Sequence, residues 1–188
     1  RMLLGRRIAL TGVTLAVAGG AGWLAFFSPV FAFSSSAVVV SGEDGTLVTA
    51  DSVRSSIASF EGVPLTRLNT SAVARAVESN VAVRSATVTR RWPTSLRISV
   101  TMRTPLAVEA VSGGYQLVDD QGVAFQQVAD AGSYPLVTLP EDRSVGAADI
   151  ASALGALDDE TRSQVATATS TGAQVSFTLK GGQSVKWG

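Results

Sequence analysis

The sequence predicts an α+β protein with a single N-terminal transmembrane helix, a small β-α-α-β-β unit, and a mostly antiparallel β unit with a short helix. Three observations predict this order: a long apolar run near the N-terminus, a change of hydrophobic periodicity, and a reversal of net charge near Thr104. Residues 37–103 carry eight Arg against five acids, whereas residues 104–188 carry four Lys and Arg against ten acids. This reversal indicates two domains, which we place at residues 37–102 and 103–188.

The composition excludes several classes of function. The 188 residues include no Cys and no His, which removes disulfides, thiolate nucleophiles, His bases and the commonest transition-metal ligands. The 15 basic residues balance the 15 acidic ones, so there is no global basic field to attract nucleic acid. Most hydrolytic machinery is therefore missing, and no cofactor, metal, nucleic-acid partner or small-molecule substrate is indicated.

The apolar run Ile8–Phe27 comprises twenty uncharged residues, and at about 1.5 Å per residue such a helix is as long as a bilayer core is thick. Arg1, Arg6 and Arg7 precede it, so the positive-inside rule predicts a cytoplasmic flank at residues 1–7, a membrane helix and exit at residues 8–33, and domains outside the cytoplasm. The alternative is a signal peptide cleaved after Ala32. Because the chain begins with Arg and ends on a strand, we expect it to be a fragment.

Small residues recur at every fourth position within this run. Gly12, Ala16 and Gly20 would share one helix face, where a second helix can approach closely. We interpret them as candidate transmembrane packing residues. The alternative is that Gly and Ala are simply common in membrane helices.

The first domain begins with a strand and two amphipathic helices. Val38–Val40 predicts the strand, which ends at Gly42. Thr49 is predicted to cap a first helix with Val53, Ile57 and Phe60 on its apolar face, and Gly62 and Pro64 predict the following loop. Thr70 or Ser71 is then predicted to cap a second helix with Val73, Ala76 and Val77 buried, ending near Asn80.

Two alternating segments complete this domain. Ala86, Val88 and Trp92 are predicted to face the core, followed by a turn and a second apolar row from Leu96 to Met102. Trp92 is expected to pack in the core or the turn, with Arg90 over its ring. The exposed face would carry a candidate basic stripe, for anionic headgroups, acidic wall polymers or an acidic partner, with a solvated face as the alternative. Its members are Arg84, Arg91, Arg97 and Arg103.

The second domain is predicted to be mostly β. Three short strands lie between Leu106 and Val128, another between Pro135 and Pro140, and Ile150, Leu154 and Leu157 predict a helix. The last hairpin has Val175, Phe177 and Leu179 before a Gly181-Gly182 turn, with Val185 and Trp187 on the return strand.

Two acidic groups invite a catalytic or metal interpretation. Asp119-Asp120 stands directly before Gly122, which is typical of a turn rather than of paired catalytic carboxylates. Asp158-Asp159-Glu160 lacks the alternating acids and Gly of a calcium loop, so we expect a solvated helix flank.

Several motifs in order resemble one family. They are Val38-x-Val40-x-Gly42, Gly62-x-Pro64-Leu65, Arg90-x-Trp92-Pro93-x-x-Leu96-x-Ile98-x-Val100, Arg103-x-Pro105-x-Ala107 and Leu117-Val118-Asp119-x-x-Gly122-x-x-Phe125. Together with an N-terminal membrane helix they are similar to the FtsQ/DivIB cell-division family. Met102 departs from the acid that is usual in the family at that position.

The resemblance implies a POTRA domain at residues 37–102 followed by the FtsQ-type β domain. It also implies a non-catalytic scaffold at the division septum, anchored in the cytoplasmic membrane with its N-terminus inside, that links FtsB and FtsL to the septal peptidoglycan synthase pair FtsW and FtsI. In the family, partners bind by strand addition at the C-terminal edge of the β domain. The resemblance implies that the principal FtsB-binding edge follows Gly188. It also implies that the β domain is C-terminally incomplete here. The candidate partner-binding residues in this chain are Gln174, Ser176, Thr178, Lys180, Lys186 and Trp187.

Two other functions remain open. A membrane-tethered POTRA chaperone or export component would hold unfolded β segments on a strand edge. A secreted enzyme released after Ala32 would have no anchor, and its N-terminus in cells would be Phe33.

Overall fold

The computed structural model describes residues 13–14, 16–23 and 31–187. They fall into two compact units, which divide between Met102 and Arg103. Both units are mixed α and β, and over the described residues of the two together there is more strand than helix, which agrees with the predicted fold class.

Much of the predicted membrane segment, including Gly12, lies outside the described residues. Residues 13–14 and 16–23 are helical and exposed, and Ala16 and Gly20 belong to this helix. Within the described parts of the chain, no helix combines the length and the apolar character that crossing a bilayer requires. The membrane span and the packing role of Gly12, Ala16 and Gly20 stay predictions.

The first unit has the predicted β-α-α-β-β order. Its strands form a three-stranded sheet in the order β1-β3-β2, in which β1 runs parallel and β2 antiparallel to β3. The elements are β1 (Val39–Ser41), α1 (Ala50–Ser56), α2 (Thr70–Glu78), β2 (Val83–Arg91) and β3 (Ser95–Met102).

The two helices begin at side-chain caps. Thr49 caps α1 as predicted, and its side chain and that of Ser52 reciprocally accept each other's backbone N–H groups. The prediction for α2 was wrong, because Asn69 is the cap and its Oδ1 accepts the N–H groups of Ser71 and Ala72. A short amide side chain just outside the helix reaches these donors, whereas Thr70 is already helical. The helix also ends at Glu78, before Asn80.

The core of the first unit lies between the helices and one face of the sheet. Every second residue of β3 from Leu96 to Val100 is buried, and Arg97, Ser99 and Thr101 are exposed on the other face. The helices contribute Val53, Val73 and Val77, and Ile57 and Phe33 are among the other buried residues of this unit.

Trp92 does not occupy this core. It is 55% exposed, and its ring meets that of Phe31 edge-on at a centroid distance of 5.8 Å. Trp92 lies in the β2–β3 turn, which is the other position that was predicted, but Arg90 does not lie over its ring. The Arg90 guanidinium instead donates to the carbonyl oxygens of Leu65 and Leu68 at 2.8 and 2.7 Å, where a charged donor satisfies two loop acceptors.

The second unit is a seven-stranded sheet in the order β10-β9-β8-β7-β4-β5-β6. As predicted it is mostly antiparallel, although β7 runs parallel to both of its neighbours in the middle of the sheet. The elements are β4 (Ala107–Val111), β5 (Gly114–Val118), β6 (Ala124–Val128), β7 (Leu136–Thr138), α3 (Arg143–Gly155), α4 (Asp159–Ser163), β8 (Val165–Ser170), β9 (Val175–Leu179) and β10 (Ser184–Trp187).

The helix α3 packs on this sheet and closes the second core. Ile150, Ala153 and Leu154 lie against Ala168 and Phe177, all five of them buried. Leu157, which we predicted on the helix, follows its end and is partly buried against the same cluster.

Candidate partner-binding surfaces

The strand β10 is an edge of the second sheet. All four of its residues, Ser184–Trp187, are exposed. On one side it pairs with β9, and among the described residues no strand pairs with its other side. Within the described residues the outer side of β10 is therefore unpaired, and an unpaired strand edge can accept another strand.

The register decides which backbone groups face outward. The N–H of Leu179 donates to the carbonyl oxygen of Gln183 at 2.9 Å, which makes these two residues a hydrogen-bonded pair. Because bonded and non-bonded pairs alternate along an antiparallel ladder, Val185 and Trp187 bond inward to β9. The N–H and carbonyl groups of Ser184 and Lys186 consequently point away from β9.

A tight turn holds this hairpin in register. The carbonyl oxygen of Leu179 accepts the N–H of Gly182 at 2.8 Å, and Gly182 has a φ of 83°. This is the three-residue hairpin loop in which a residue in the left-handed region restores the ladder. The predicted Gly-Gly turn is thus in place.

The structure separates the six candidate partner-binding residues. Lys186 and Trp187 lie on the edge strand β10, Lys180 lies in the turn, and Gln174 is exposed just before β9. Ser176 and Thr178 lie on β9, which is paired with β8 on one side and β10 on the other. The backbone of Ser176 and Thr178 is therefore interior to the sheet, and of the two strands in this hairpin only β10 can accept a further strand.

The four arginines of the predicted stripe do not form one row. Thr89 stands opposite Arg97, and Arg91 stands opposite Ser95. Arg91 and Arg97 are therefore diagonal neighbours on the exposed sheet face, a relation in which the two residues lie about 7–8 Å apart. Arg84 lies in the register irregularity at the other end of β2.

Arg103 belongs to the second unit, where it forms an ion pair with Asp119. The side chain of Asp119 is fully buried, and its Oδ1 also accepts the N–H groups of Gln121 and Val123 at 3.0 and 2.8 Å. The turn interpretation of Asp119 fits this geometry, because its oxygens are occupied by turn and ion-pair contacts. Arg103 is engaged by this buried acid, so it does not extend the exposed basic face.

The acidic group at Asp158 is a helix cap. Its carboxylate accepts the N–H and hydroxyl of Thr161 at 2.7 and 3.0 Å, which lowers its pKa. In the parts of the chain that the structure describes, no group of three or more Asp or Glu residues is arranged to hold a metal ion.

Sequence reasoning missed a second ion pair in this unit. Arg143, at the start of α3, donates to both carboxylate oxygens of Glu109 on β4 at 3.0 Å, and also to the carbonyl oxygen of Gly122. The hydrogen bonds from Arg143 lower the pKa of Glu109, and Gln116 adds a further donor. No local pattern links residues 34 positions apart, so the sequence alone gave no signal for this contact.

Comparison with known proteins finds the same family in both units. The model of the POTRA domain, FtsQ-type, matches residues 33–103, and the model of the cell division protein FtsQ/DivIB C-terminal region matches residues 107–188.

Curated relatives agree with these matches. The chain is 33% identical over 190 aligned positions to the cell division protein FtsQ of Mycobacterium tuberculosis (strain ATCC 25618 / H37Rv), an alignment that covers 98% of this chain and 59% of the relative. It is 32% identical to the FtsQ of Streptomyces collinus, over 73% of this chain and 51% of the relative. The chain thus spans little more than half the length of these proteins.

Proposed function

The chain belongs to the FtsQ/DivIB family of cell division proteins, and we propose that it is a bitopic membrane scaffold of the bacterial divisome. In this proposal the apolar segment at residues 8–33 anchors the protein in the cytoplasmic membrane with its N-terminus inside. The two folded units lie outside the cytoplasm and concentrate at the septum. They bind partners and carry out no catalysis.

The partners in this proposal are FtsB and FtsL and, through them, the peptidoglycan synthase pair FtsW and FtsI. The family resemblance puts the principal FtsB-binding edge after Gly188, and the observation that supports partner binding next to it is the outer side of β10, where Ser184 and Lys186 present backbone groups. A strand added there gains affinity from main-chain hydrogen bonds and specificity from alternate side chains. Lys186 and Trp187 would then contact the incoming chain.

The test replaces Lys186 in the full-length protein with proline. Lys186→Pro removes an outward N–H but leaves the inward bonds of Val185 and Trp187, so the hairpin can persist. Lys186→Ala is the matched control, because it removes the charge and retains the N–H. We expect Lys186→Pro to reduce recovery of FtsB and FtsL from solubilised membranes about tenfold, as the loss of one or two well-placed hydrogen bonds implies.

Two outcomes contradict this assignment of the edge. Undiminished recovery with Lys186→Pro would show that partners do not add at β10. A loss of recovery accompanied by a marked fall in melting temperature would show that the outer side of β10 is part of the protein's own fold. Thr178→Pro is unsuitable here, since β9 is bonded on both sides and the sheet itself would be disrupted.

A further inference from the structure

Three segments of the first unit meet at the end where the chain enters it. The N–H of Leu65 donates to the carbonyl oxygen of Phe31 at 2.8 Å, and the N–H of Phe33 donates to that of Val63 at 2.9 Å. The N–H of Ser34 donates to the carbonyl oxygen of Thr94 at 2.9 Å. The Arg90 guanidinium joins the same end by its bonds to Leu65 and Leu68, so residues 31–35, the loop at 61–68 and residues 90–97 around the β2–β3 turn form one surface, which we call the entry end.

The sequence limits how far the entry end can be from the apolar run. Phe31 follows Phe27 by four residues, and even a fully extended chain covers no more than about 14 Å over that interval. A headgroup layer is roughly 5–8 Å deep on each side of the hydrocarbon core. If the run spans a bilayer, Phe31 at the entry end lies in the headgroup layer or no more than about 9 Å beyond it.

The entry end carries an aromatic pair, in which Trp92 is exposed and Phe31 is half-buried. Trp92 is 55% exposed and meets Phe31 edge-on, as described above. A large ring left in water is unfavourable, whereas the boundary between lipid and water suits an indole with an apolar body and one N–H donor.

The entry end is also basic. Residues 31–35, 61–68 and 90–97 contain four Arg and a single acid, Glu61. Arg91 and Arg97 have no ion-pair partner among the described residues. Glu61 accepts the N–H of Ser35 at 2.7 Å. The positive charges of Arg91 and Arg97 therefore favour binding to a negatively charged surface.

We propose that the entry end is a membrane-docking surface, on which Phe31 and Trp92 insert among lipid headgroups while Arg91 and Arg97 bind anionic phospholipids. This inference rests on the proposed function, because it requires residues 8–27 to span the bilayer. Docking would fix the orientation of the first unit on the membrane.

Tryptophan fluorescence in lipid vesicles tests the proposal, because the chain has three Trp residues. The whole chain is reconstituted into vesicles containing anionic phosphatidylglycerol and lipids brominated at defined depths. Trp23→Phe with Trp187→Phe leaves Trp92 as the reporter. We expect strong quenching of Trp92 by bromines placed near the headgroups, with a blue-shifted emission.

A control reporter lies at the other end of the same unit. Val81 is 58% exposed and precedes β2, whereas Trp92 follows it, so the two are about 30 Å apart along this nine-residue strand. Val81→Trp in a background with all three tryptophans replaced by Phe should escape quenching. Equal quenching at both sites, or none at Trp92, would overturn the proposal.

A third reporter separates this inference from the proposed function. A variant that retains only Trp23 reports on the anchor. Quenched Trp23 with unquenched Trp92 refutes docking and leaves the scaffold proposal intact. Unquenched Trp23 refutes the membrane anchor and, with it, docking.

Charge variants test the lipid preference. Arg91→Gln with Arg97→Gln should lower the ratio of docked to undocked protein at least tenfold in anionic vesicles, as neutralising two surface charges implies. Arg75→Gln, on α2, is the matched control and should change nothing. Identical Trp92 quenching in wild type and double variant would contradict the role of the two arginines.

Discussion

At the residue scale, Gly42 shows why the first unit needs a glycine at the end of β1. Its φ is 88°, and a Cβ built there would lie 2.0 Å from the carbonyl oxygen of Val100. Gly45 nearby also has a positive φ, of 73°, but faces open space. The two positions therefore separate the cost of backbone conformation from the cost of steric overlap.

We expect Gly45→Ala to destabilise the protein by about 1 kcal/mol, the cost of a non-glycine residue in the left-handed region. Gly42→Ala should cost about 3 kcal/mol or more, because the β1–β3 contact must also open. Denaturant unfolding of the two variants measures the difference. Equal values would mean that the close approach to Val100 is not maintained in solution.

The ion pair of Arg103 and Asp119 is buried, whereas that of Arg162 and Asp159 is exposed. Asp119→Ala removes the partner of a nearly buried guanidinium and two turn hydrogen bonds, and should cost about 3 kcal/mol. Asp159→Ala removes a partner that is 98% exposed and should cost less than about 1 kcal/mol. The free energies of unfolding of the two variants measure these two costs. Similar values would refute the predicted difference between the buried and the exposed ion pair.

Single residues also show where local pattern is informative. Thr49 was identified as a cap because a hydroxyl before an apolar period is a local signal. Asn69 was overlooked although it carries the same kind of signal one residue earlier. The partner of Arg103 lies 16 residues away, and no periodicity encodes it.

At the element scale, Glu109 and Arg143 join β4 to the start of α3. The pKa of Glu109 is lowered in the folded state from its ordinary value of 4.5. The carboxylate therefore contributes stability that is present in full above pH 4.5 and is lost as the pH falls through the lower folded-state pKa.

We expect the wild type to lose about 1 kcal/mol more stability than Glu109→Gln between pH 6 and pH 3, a magnitude typical of a partly exposed bidentate pair. Unfolding curves across this range provide the measurement. Parallel pH profiles for the two proteins would show that the pair does not contribute.

Most elements followed from the sequence because period-two rows and helix faces are local patterns. The sequence predicted the strand β7 but not its place in the sheet. A three-residue strand has no useful periodicity, and its parallel neighbours are distant in the chain. The short helix α4 was missed for a similar reason, since none of its residues is buried.

At the scale of the whole molecule, charge reversal predicts two domains and motif order indicates a family, and the matches to the family models confirm the family. The candidate site was only partly predictable. The sequence located the last hairpin, but which of its strands is an edge, and which backbone groups face outward, depends on register across the sheet. Exposure of Trp92 likewise depends on how the entry segment packs.

The central strand β7 has a mechanical consequence for the second unit. It joins an antiparallel meander of β4 to β6 to another of β8 to β10, and it is in register with β4 at a single residue pair, Val108 and Leu136. Under tension applied across the sheet, this short junction would yield before the longer ladders on either side. The force that β10 can bear would therefore be limited by the strength of the β4–β7 contact.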